Sequence, residues 1–295
     1  MAKIHQPVML REVLDLLQVK KGLNFIDGTL GLGGHSQAIL EANAPTGMVL
    51  GLDRDTQALT LAKQRLQVFG KRFQSLHGSF HQVRHFLKQR PWSEAGEIHG
   101  MLLDLGLSSL QVDSPERGFS FDKVSALDMR MDLEDEVSAR EILHKLGAKE
   151  LEQVLHQFGE ERYYRRIVRS IVHYRQKKPI TGTTELVDCV SRAVPFFKAR
   201  RLAITRTFQA LRIAVNRELE ILEEFLKEAP DFLAPGGRLV ILSYHSLEDR
   251  LVKQAFRRWE GFKILTKKPL SPSKKEISLN RRARSAKLRA IEKES

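Results

Sequence analysis

Cysteine is almost missing from this chain, since Cys189 is the single one among 295 residues. An intrachain disulfide and a metal site built from cysteine ligands are therefore excluded. The sequence singles out no other metal-ligating residue, and a metal requirement stays open. No stretch reaches the roughly 20 consecutive apolar residues that a membrane helix needs, so we expect no membrane partner. Residues 1–13 lack the apolar core of a signal peptide because His5, Arg11 and Glu12 interrupt them. These absences predict a cytoplasmic protein.

Acidic residues are also fewer than basic residues. Lys and Arg number 49 against 36 Asp and Glu, which gives a formal net charge of +13. The surplus is clustered in three stretches, 162–175, 198–212 and 267–289. An even surplus would serve solubility alone, whereas clustered cations favour a polyanion, because Lys and Arg on phosphates release counterions. We therefore predict a nucleic-acid partner.

Short apolar runs alternate with helical patterns in the first part of the chain. The runs predict strands over 23–27, 48–53, 73–76 and 100–105, and the patterns predict helices over 7–17, 36–41 and 55–69. Strands resume at 238–244, 262–265 and 286–291, after a predicted turn at 234–237, with a helix over 248–259. Such alternation is typical of a parallel α/β sheet.

The pattern changes between 137 and 228, where only helices are predicted. They cover 138–146, 149–158, 160–175, 184–194 and 205–229, with Thr184 as a candidate cap. We therefore predict an α/β fold in which residues 1–112 and 216–295 form one open-sheet domain. Residues 113–215 form an inserted helical domain for substrate recognition, and the polar, basic stretch 267–284 is a surface loop.

A glycine-rich turn follows the first predicted strand, with glycine at positions 28, 31, 33 and 34. Glycine lets a backbone approach a ligand closely, and in an open α/β sheet this turn lies at the carboxyl edge, where ligands bind. The second strand ends at Asp53, 20 residues after Gly33. An acid at that distance can accept hydrogen bonds from both ribose hydroxyls. The turn and the acid together predict a nucleoside cofactor.

The glycine spacing indicates which nucleoside. The pattern Gly28-x-x-Gly31-x-Gly33-Gly34 differs from the dinucleotide pattern G-x-G-x-x-G. S-adenosylmethionine has no phosphate but carries a cationic sulfur and an amino acid tail, and Asp27 suits the ammonium group of that tail. The turn therefore favours S-adenosylmethionine, and an NAD-dependent oxidoreductase is the less favoured alternative.

Later strand ends supply further candidates. Phe80, after the third strand, either lies against an adenine or packs in the core. Asp104 closes the fourth strand and either faces the reacting methyl group or is a turn residue. Tyr244 either stacks on a base or packs in the core. His245 either takes up the released proton in the target pocket or caps the next helix.

Two arginines, Arg206 and Arg212, share a predicted helix in the inserted block. They either hold RNA phosphates or pair with Glu218 and Glu220. We treat both arginines as candidate substrate contacts.

The whole sequence resembles the bacterial 16S ribosomal RNA (cytosine-N4)-methyltransferase family, which modifies a cytosine of the decoding centre. The resemblance rests on segments that run in the family's order along nearly the whole chain: His5-Gln6-Pro7-Val8-Met9-Leu10, Ile26-Asp27-Gly28-Thr29 through Gly33-Gly34-His35-Ser36, Leu52-Asp53-Arg54-Asp55, Leu102-Leu103-Asp104-Leu105-Gly106 with Ser108, Ser109 and Gln111, Glu116-Arg117-Gly118-Phe119-Ser120-Phe121, Leu127-Asp128-Met129-Arg130-Met131-Asp132, Phe158-Gly159-Glu160-Glu161-Arg162, Arg206-Thr207-Phe208-Gln209-Ala210-Leu211-Arg212, Leu233-Ala234-Pro235-Gly236-Gly237-Arg238 and His245-Ser246-Leu247-Glu248-Asp249-Arg250.

The resemblance implies a Rossmann-like methyltransferase sheet with an inserted all-helical domain, and small-subunit ribosomal RNA or the small ribosomal subunit as the partner. The S-adenosylmethionine contacts that it implies are Gly33, Gly34, His35, Asp53, Phe80, Asp104 and Gln111.

Two departures from expected patterns matter. Family members usually read Asn-Pro-Arg-Ala-Arg-Ser near the C-terminus, whereas Arg281 follows Asn280 here, so the geometry of that turn is not implied. Many amino-methyltransferases of other families carry Asp/Asn-Pro-Pro-Tyr after the fourth strand. Here Asp104 is followed by Leu-Gly-Leu, so roles known for the proline-rich motif are not transferred. Ser108 and Ser109, which come next, are candidate substrate contacts.

The chemistry at the target also follows from the residues. Methyl transfer to an exocyclic amine needs no covalent nucleophile, whereas methylation at ring carbon 5 usually uses a cysteine. Cys189 lies in the helical block, away from every motif, so amine chemistry is favoured. Asp104 and the carbonyls of Leu105 and Gly106 are candidate acceptors for the amine N–H groups. Another RNA, DNA or protein substrate, or a non-catalytic RNA-binding assembly factor, stays open, as does the oligomeric state.

Overall fold

The structure, a computed structural model, describes residues 7–88 and 96–295. His5 and Gln6, the first two residues of the resembling segments, lie outside this part of the chain. The chain divides into two compact units: a sheet unit, Met1–Ser108 with Leu219–Ser295, and a helical unit, Ser109–Glu218. In the described ranges, no helix is both long enough and apolar enough to cross a bilayer.

The sheet unit contains seven strands. In chain order they are β1 Phe25–Asp27, β2 Val49–Asp53, β3 Phe73–His77, β4 Ile98–Asp104, β5 Leu233–Ser243, β6 Phe262–Ile264 and β7 Lys287–Lys293. The described residues form thirteen α-helices, which are α1 Leu10–Leu17, α2 Gly34–Ala42, α3 Thr56–Leu66, α4 Val83–Leu87, α5 Ser109–Asp113, α6 Ala139–Lys145, α7 Ala148–Gln157, α8 Tyr164–Lys177, α9 Thr183–Ala193, α10 Phe197–Asn216, α11 Glu218–Phe232, α12 Ser246–Arg258 and α13 Lys274–Leu279.

The strands form one sheet in the order β3-β2-β1-β4-β5-β7-β6. β1 to β5 are parallel, and β7 is antiparallel to both of its neighbours. The strand order reverses direction between β1 and β4, and in open α/β sheets ligands bind outside the carboxyl ends of the strands at such a point. Asp27, Asp53 and Asp104 end the three strands nearest this point.

Both faces of the sheet are covered by helices. Phe25 and Ile26, neighbours in β1, are fully buried in two different apolar clusters, because successive strand residues point to opposite faces. The first cluster includes side chains of α1, α2 and α3, and the second includes side chains of α4, α11 and α12. Each fully buried Phe or Ile stabilises the fold by about 1.5–3 kcal/mol. This architecture confirms the predicted α/β class.

The helical unit has an apolar core of its own. α10 contributes Ile204, Phe208, Leu211 and Val215 to it, a spacing that keeps all four side chains on one face of the helix. At the end of α10, Asn216 is fully buried. Its amide donates to the carbonyls of residues 129 and 212, both at 2.8 Å, and its side-chain oxygen accepts from the amide of residue 131 at 2.7 Å.

Four local predictions were wrong. The single helix expected over 205–229 is broken, because Arg217 adopts a left-handed conformation with φ 50° between α10 and α11. α9 is capped at Gly182 through a hydrogen bond to Glu185, and not by Thr184. The turn expected at 234–237 is part of β5. The loop expected over 267–284 contains α13 and a 3₁₀ helix, Arg281–Ser285.

Candidate active site

The glycine-rich turn is tied to two strands of the sheet. Its Gly28 amide donates to the Leu102 carbonyl of β4 at 2.9 Å, and its Leu30 amide donates to the Leu52 carbonyl of β2 at 2.8 Å. Gly33 has φ 75°, a conformation that suits glycine, and a Cβ there would lie 2.8 Å from a leucine methyl of α3. The turn therefore holds its shape through backbone contacts that side chains would obstruct.

Asp53 fastens the end of β2 to the same turn. One carboxylate oxygen accepts from the Gly31 amide at 2.6 Å, and the other accepts from the Asp55 amide at 2.9 Å. Burial raises the pKa of Asp53 to about 6, although these hydrogen bonds lower it. A ribose hydroxyl could add a donor here, since each carboxylate oxygen accepts more than one hydrogen bond.

Asp27 is the most buried of the three strand-end carboxylates, at 1% exposure. It accepts from the Ser36 hydroxyl at 2.8 Å and from the Thr29 amide at 3.2 Å. Burial, with a smaller contribution from the charges of Asp104 and Asp53, raises its pKa to about 7. The Ser36 hydroxyl thus fixes Asp27, the acid predicted to face an ammonium group. The sequence pattern did not predict this role for Ser36.

Asp104 forms a pair with Tyr244, the residue that follows β5. The Tyr244 hydroxyl donates to Asp104 Oδ1 at 2.8 Å, and its ring lies against Gly106, where a Cβ would come within 2.8 Å of it. The Asp104 amide donates to the Thr29 hydroxyl at 2.6 Å, which joins β4 to the glycine-rich turn. Burial raises the pKa of Asp104 to about 6. Tyr244 therefore fixes this carboxylate through its hydroxyl, a role that the sequence did not reveal.

His245 caps α12, one of the two roles predicted for it. Its Nδ1 accepts from the Glu248 amide at 3.4 Å, and its Nε2 lies 3.1 Å from a Glu248 carboxylate oxygen. The other Glu248 oxygen accepts from the Tyr244 amide at 2.8 Å. Glu248 is therefore a missed member of the site, and the spacing of a capping box after a strand was the signal for it. Proton uptake by His245 stays a prediction.

Three other predicted residues have defined surroundings in the sheet unit. Phe80 is half-buried and meets Phe225 edge to face, with ring centroids 5.4 Å apart. His35 is buried, and its Nε2 lies 3.0 Å from the Val8 carbonyl oxygen. Gly34 begins α2, and Ser108 is half-buried beyond β4. Contacts of these residues with a cofactor or substrate stay predictions.

The remaining candidates belong to the helical unit. Ser109 and Gln111 are on α5, and Gln111 is buried. On α10, Arg212 makes a bidentate pair with Glu218 at 2.9 and 2.8 Å. Arg206 lies 4.0 Å from the buried Glu161 carboxylate and lines a cavity of about 240 Å³. Both arginines therefore lie beside acids. The pair between Arg212 and Glu218 confirms the ion-pair alternative for Arg212, whereas the acid beside Arg206 is Glu161, which was not predicted.

The carboxyl ends of β1, β2 and β4, where an open α/β sheet forms its ligand crevice, carry three carboxyl groups, and we call this region the anionic crevice. Burial raises the pKa of all three carboxyl groups, and within residues 7–88 and 96–295 none of Asp27, Asp53 and Asp104 is in an ion pair. Each ionised carboxylate therefore gains from a cationic ligand, which would offset part of its desolvation. These three carboxyl groups suit a nucleoside that carries positive charge better than they suit a pyrophosphate.

Comparison with known proteins gives the family of this chain. The model of the MraW methylase family matches residues 2–294. The chain belongs to the MraW methylase family. It is similar to proteins named ribosomal RNA small subunit methyltransferase H from Cyanothece sp., at 46% identity over 98% of this chain and 95% of the relative, and from Thermotoga neapolitana, at 45% identity over 98% and 95%.

A solved structure from Clostridium thermocellum, described as an rRNA-methylase, shares the fold. Its TM-score is 0.50 at 12% identity, and the alignment covers 98% of this chain and all of that one. Membership of the MraW methylase family makes the chain an S-adenosylmethionine-dependent methyltransferase, and the solved structure supports its Rossmann-like fold alone. The anionic crevice fits that cofactor, since Asp53 can hold the ribose and Asp27 can face the ammonium group of the tail.

Proposed function

We propose that this chain methylates the N4 amine of one cytosine in the decoding centre of small-subunit ribosomal RNA. Family membership and relatives named for the small-subunit RNA support the substrate class. The observation that carries the chemistry is the Asp104–Tyr244 pair at the carboxyl end of β4, beside the glycine-rich turn. We also propose a cytoplasmic location, because the relatives are named for small-subunit ribosomal RNA.

Asp104 can make the cytosine amine, a poor nucleophile, more reactive. The lone pair of that amine is delocalised into the ring, and an acceptor for its N–H groups helps to localise it. With a pKa of about 6, Asp104 is mostly ionised at neutral pH and can accept. S-adenosylmethionine supplies an electrophilic methyl group on a cationic sulfur. The chain contributes alignment, since holding two reactants in place can be worth about 7–11 kcal/mol of the barrier.

The surroundings of Cys189 support amine chemistry. Its thiol is 1% exposed in the core of the helical unit, and burial raises its pKa to about 11. A buried, protonated thiol is a poor nucleophile. A covalent route to ring carbon 5, which would need a cysteine thiolate, is therefore disfavoured for this chain.

Mass mapping of small-subunit RNA tests the proposal. RNA from cells that lack this chain should miss one methyl group on one cytosine, and expression of the wild-type chain should restore it. The Asp104→Asn variant should not restore it, because an amide is a weaker acceptor than a carboxylate. An unchanged map in the deletion strain would overturn the substrate.

Labelled methyl transfer separates the alternative substrates. Purified enzyme should label small-subunit RNA, as a transcript or in assembled subunits, and leave DNA and protein fractions unlabelled. Label in DNA or protein alone would contradict the RNA assignment. Cofactor binding without label in any fraction would favour a non-catalytic assembly factor.

A further inference from the structure

The connection between β6 and β7 carries a dense positive charge. This basic strap, residues 267–285, contains seven Lys and Arg residues and one acid, Glu276. Six of the cations are exposed and, within the described ranges, make no ion pair: Lys267, Lys268, Lys274, Lys275, Arg281 and Arg284. Arg206 and Arg212, the arginines first predicted to hold phosphates, are instead neighboured by acids.

The sheet topology places the strap at the catalytic edge. β7 is antiparallel to both β5 and β6, so β5 and β6 run in the same direction. The strap leaves the end of β6 and returns at Lys287, which is paired with Ser243 at the end of β5. Tyr244 follows directly. Burial is the main cause that raises the pKa of its hydroxyl, and Glu276 of the strap lies close enough to add to this rise. The strap therefore borders the Asp104–Tyr244 pair.

The strap is held in place along its length. The Leu270 amide and carbonyl bond to Leu288 at 3.0 and 2.9 Å, and the Met9 amide donates to Glu276 at 2.7 Å. Ala283 is fully buried in the apolar cluster of α1, α2 and α3. The backbone is thus anchored while the cationic side chains are exposed. A fixed array of unpaired cations repels itself, and bound phosphates relieve that repulsion.

We propose that the basic strap binds the phosphate backbone of the RNA beside the target nucleotide. This inference rests on the proposed function and deepens it, because it assigns backbone binding to the sheet unit in addition to any contact made by the helical unit. A base that enters the crevice leaves its stack. The phosphates flanking it must then lie near the same sheet edge, where the strap holds them.

The test compares two triple variants that remove the same charge. The strap variant is Lys274→Gln, Lys275→Gln and Arg281→Gln. The control is Arg257→Gln, Arg258→Gln and Lys263→Gln at the opposite edge, where α12 ends and β6 begins. These three cations are exposed and make no ion pair with any described residue. The probe is a small-subunit RNA transcript, and the readout is its Kd over a series of KCl concentrations.

The strap variant should bind less tightly and with a weaker salt dependence. Each phosphate contact contributes about 0.7 to the slope of log K against log salt, so three lost contacts reduce that slope by about 2. At 0.1 M salt, this change in slope corresponds to a loss of affinity on the order of 100-fold. The control should keep the wild-type slope. Both variants should bind S-adenosylmethionine like the wild type by calorimetry, which verifies the fold.

Other outcomes have definite meanings. Equal slopes for the strap variant and the wild type would overturn the inference and leave the proposed function standing, provided that the wild type methylates the RNA. Equal losses in both variants would also overturn it, because net charge rather than the strap would then govern binding. A wild type that neither binds nor methylates the RNA, either as a transcript or in assembled subunits, would overturn the proposed function itself.

Discussion

Replacing Tyr244 with phenylalanine should shift the pH dependence of methyl transfer. The substitution removes the 2.8 Å hydrogen bond to Asp104 but keeps the ring that lies against Gly106. That hydrogen bond lowers the pKa of Asp104, which burial raises to about 6. Without it, the neutral carboxyl group persists to higher pH, and a neutral group is a poorer acceptor for the amine.

The size of the shift follows from the energy of the hydrogen bond. A hydrogen bond to a charged group contributes about 1.5–3 kcal/mol, and 1.36 kcal/mol corresponds to one pKa unit, so the pKa should rise by about 1–2 units. Below the new pKa, the rate should fall roughly tenfold per pH unit. Near pH 9, where both enzymes hold an ionised Asp104, the two rates should converge.

Single-turnover methyl transfer at saturating cofactor, measured between pH 5.5 and 9.5, tests this. Calorimetry of S-adenosylmethionine binding at each pH is the control, because it separates cofactor affinity from the chemical step. The reasoning fails if the Tyr244→Phe rate is reduced by one constant factor at every pH. That result would assign Tyr244 to packing alone.

Four further changes have definite expected outcomes. Asp53→Ala should weaken S-adenosylmethionine binding by about 10- to 100-fold by calorimetry, the worth of a charged hydrogen bond; unchanged affinity would remove Asp53 from the cofactor site. Gly33→Ala should lower the free energy of unfolding in urea by more than Gly236→Ala, because both have φ near 75° but only Gly33 has a leucine methyl 2.8 Å from the added Cβ. Asn216→Ala should cost on the order of 3 kcal/mol in the same assay, since it leaves buried backbone groups unpaired; a loss below about 1 kcal/mol would contradict that. Asp27 has a pKa of about 7 in the folded protein, above its ordinary value of 3.8. Its protonated form therefore stabilises the fold at low pH, and this contribution is lost as the pH rises through about 7. Asp27→Asn should therefore gain Tm relative to the wild type between pH 4 and 8, and a constant difference in calorimetric scans would refute the shift.

The sheet was predictable because its strands are short apolar runs that end in acids. β1, β2 and β4 each end at an aspartate, and the carboxyl ends of parallel strands share one edge. The break at Arg217 was not predictable in the same way. Apolar spacing continues from α10 into α11, and a left-handed arginine leaves no signature in periodicity.

Within the candidate site, the positions of the acids were predictable from the sequence, whereas their side-chain contacts were not. Asp53 and Asp104 follow from their positions at strand ends, which local pattern reveals. The hydroxyl of Tyr244 reaches an acid 140 positions away in sequence, and pairing at that distance depends on tertiary packing. The sequence also could not decide between the two alternatives for Arg212, which forms an ion pair with Glu218. The sequence pattern of a helix is the same whether a charged side chain is paired or free.

The insertion of the helical unit between β4 and β5 has a bearing on how this enzyme folds. β4 and β5 are hydrogen-bonded neighbours, yet the whole of Ser109–Glu218 separates them along the chain. Closing a disordered loop of ~100 residues costs about 4 kcal/mol of entropy, and such non-local pairings form slowly. A helical unit that folds first, from its own local contacts, shortens that loop. We therefore expect the middle of the sheet to form late, and cofactor binding to appear only at that stage of folding.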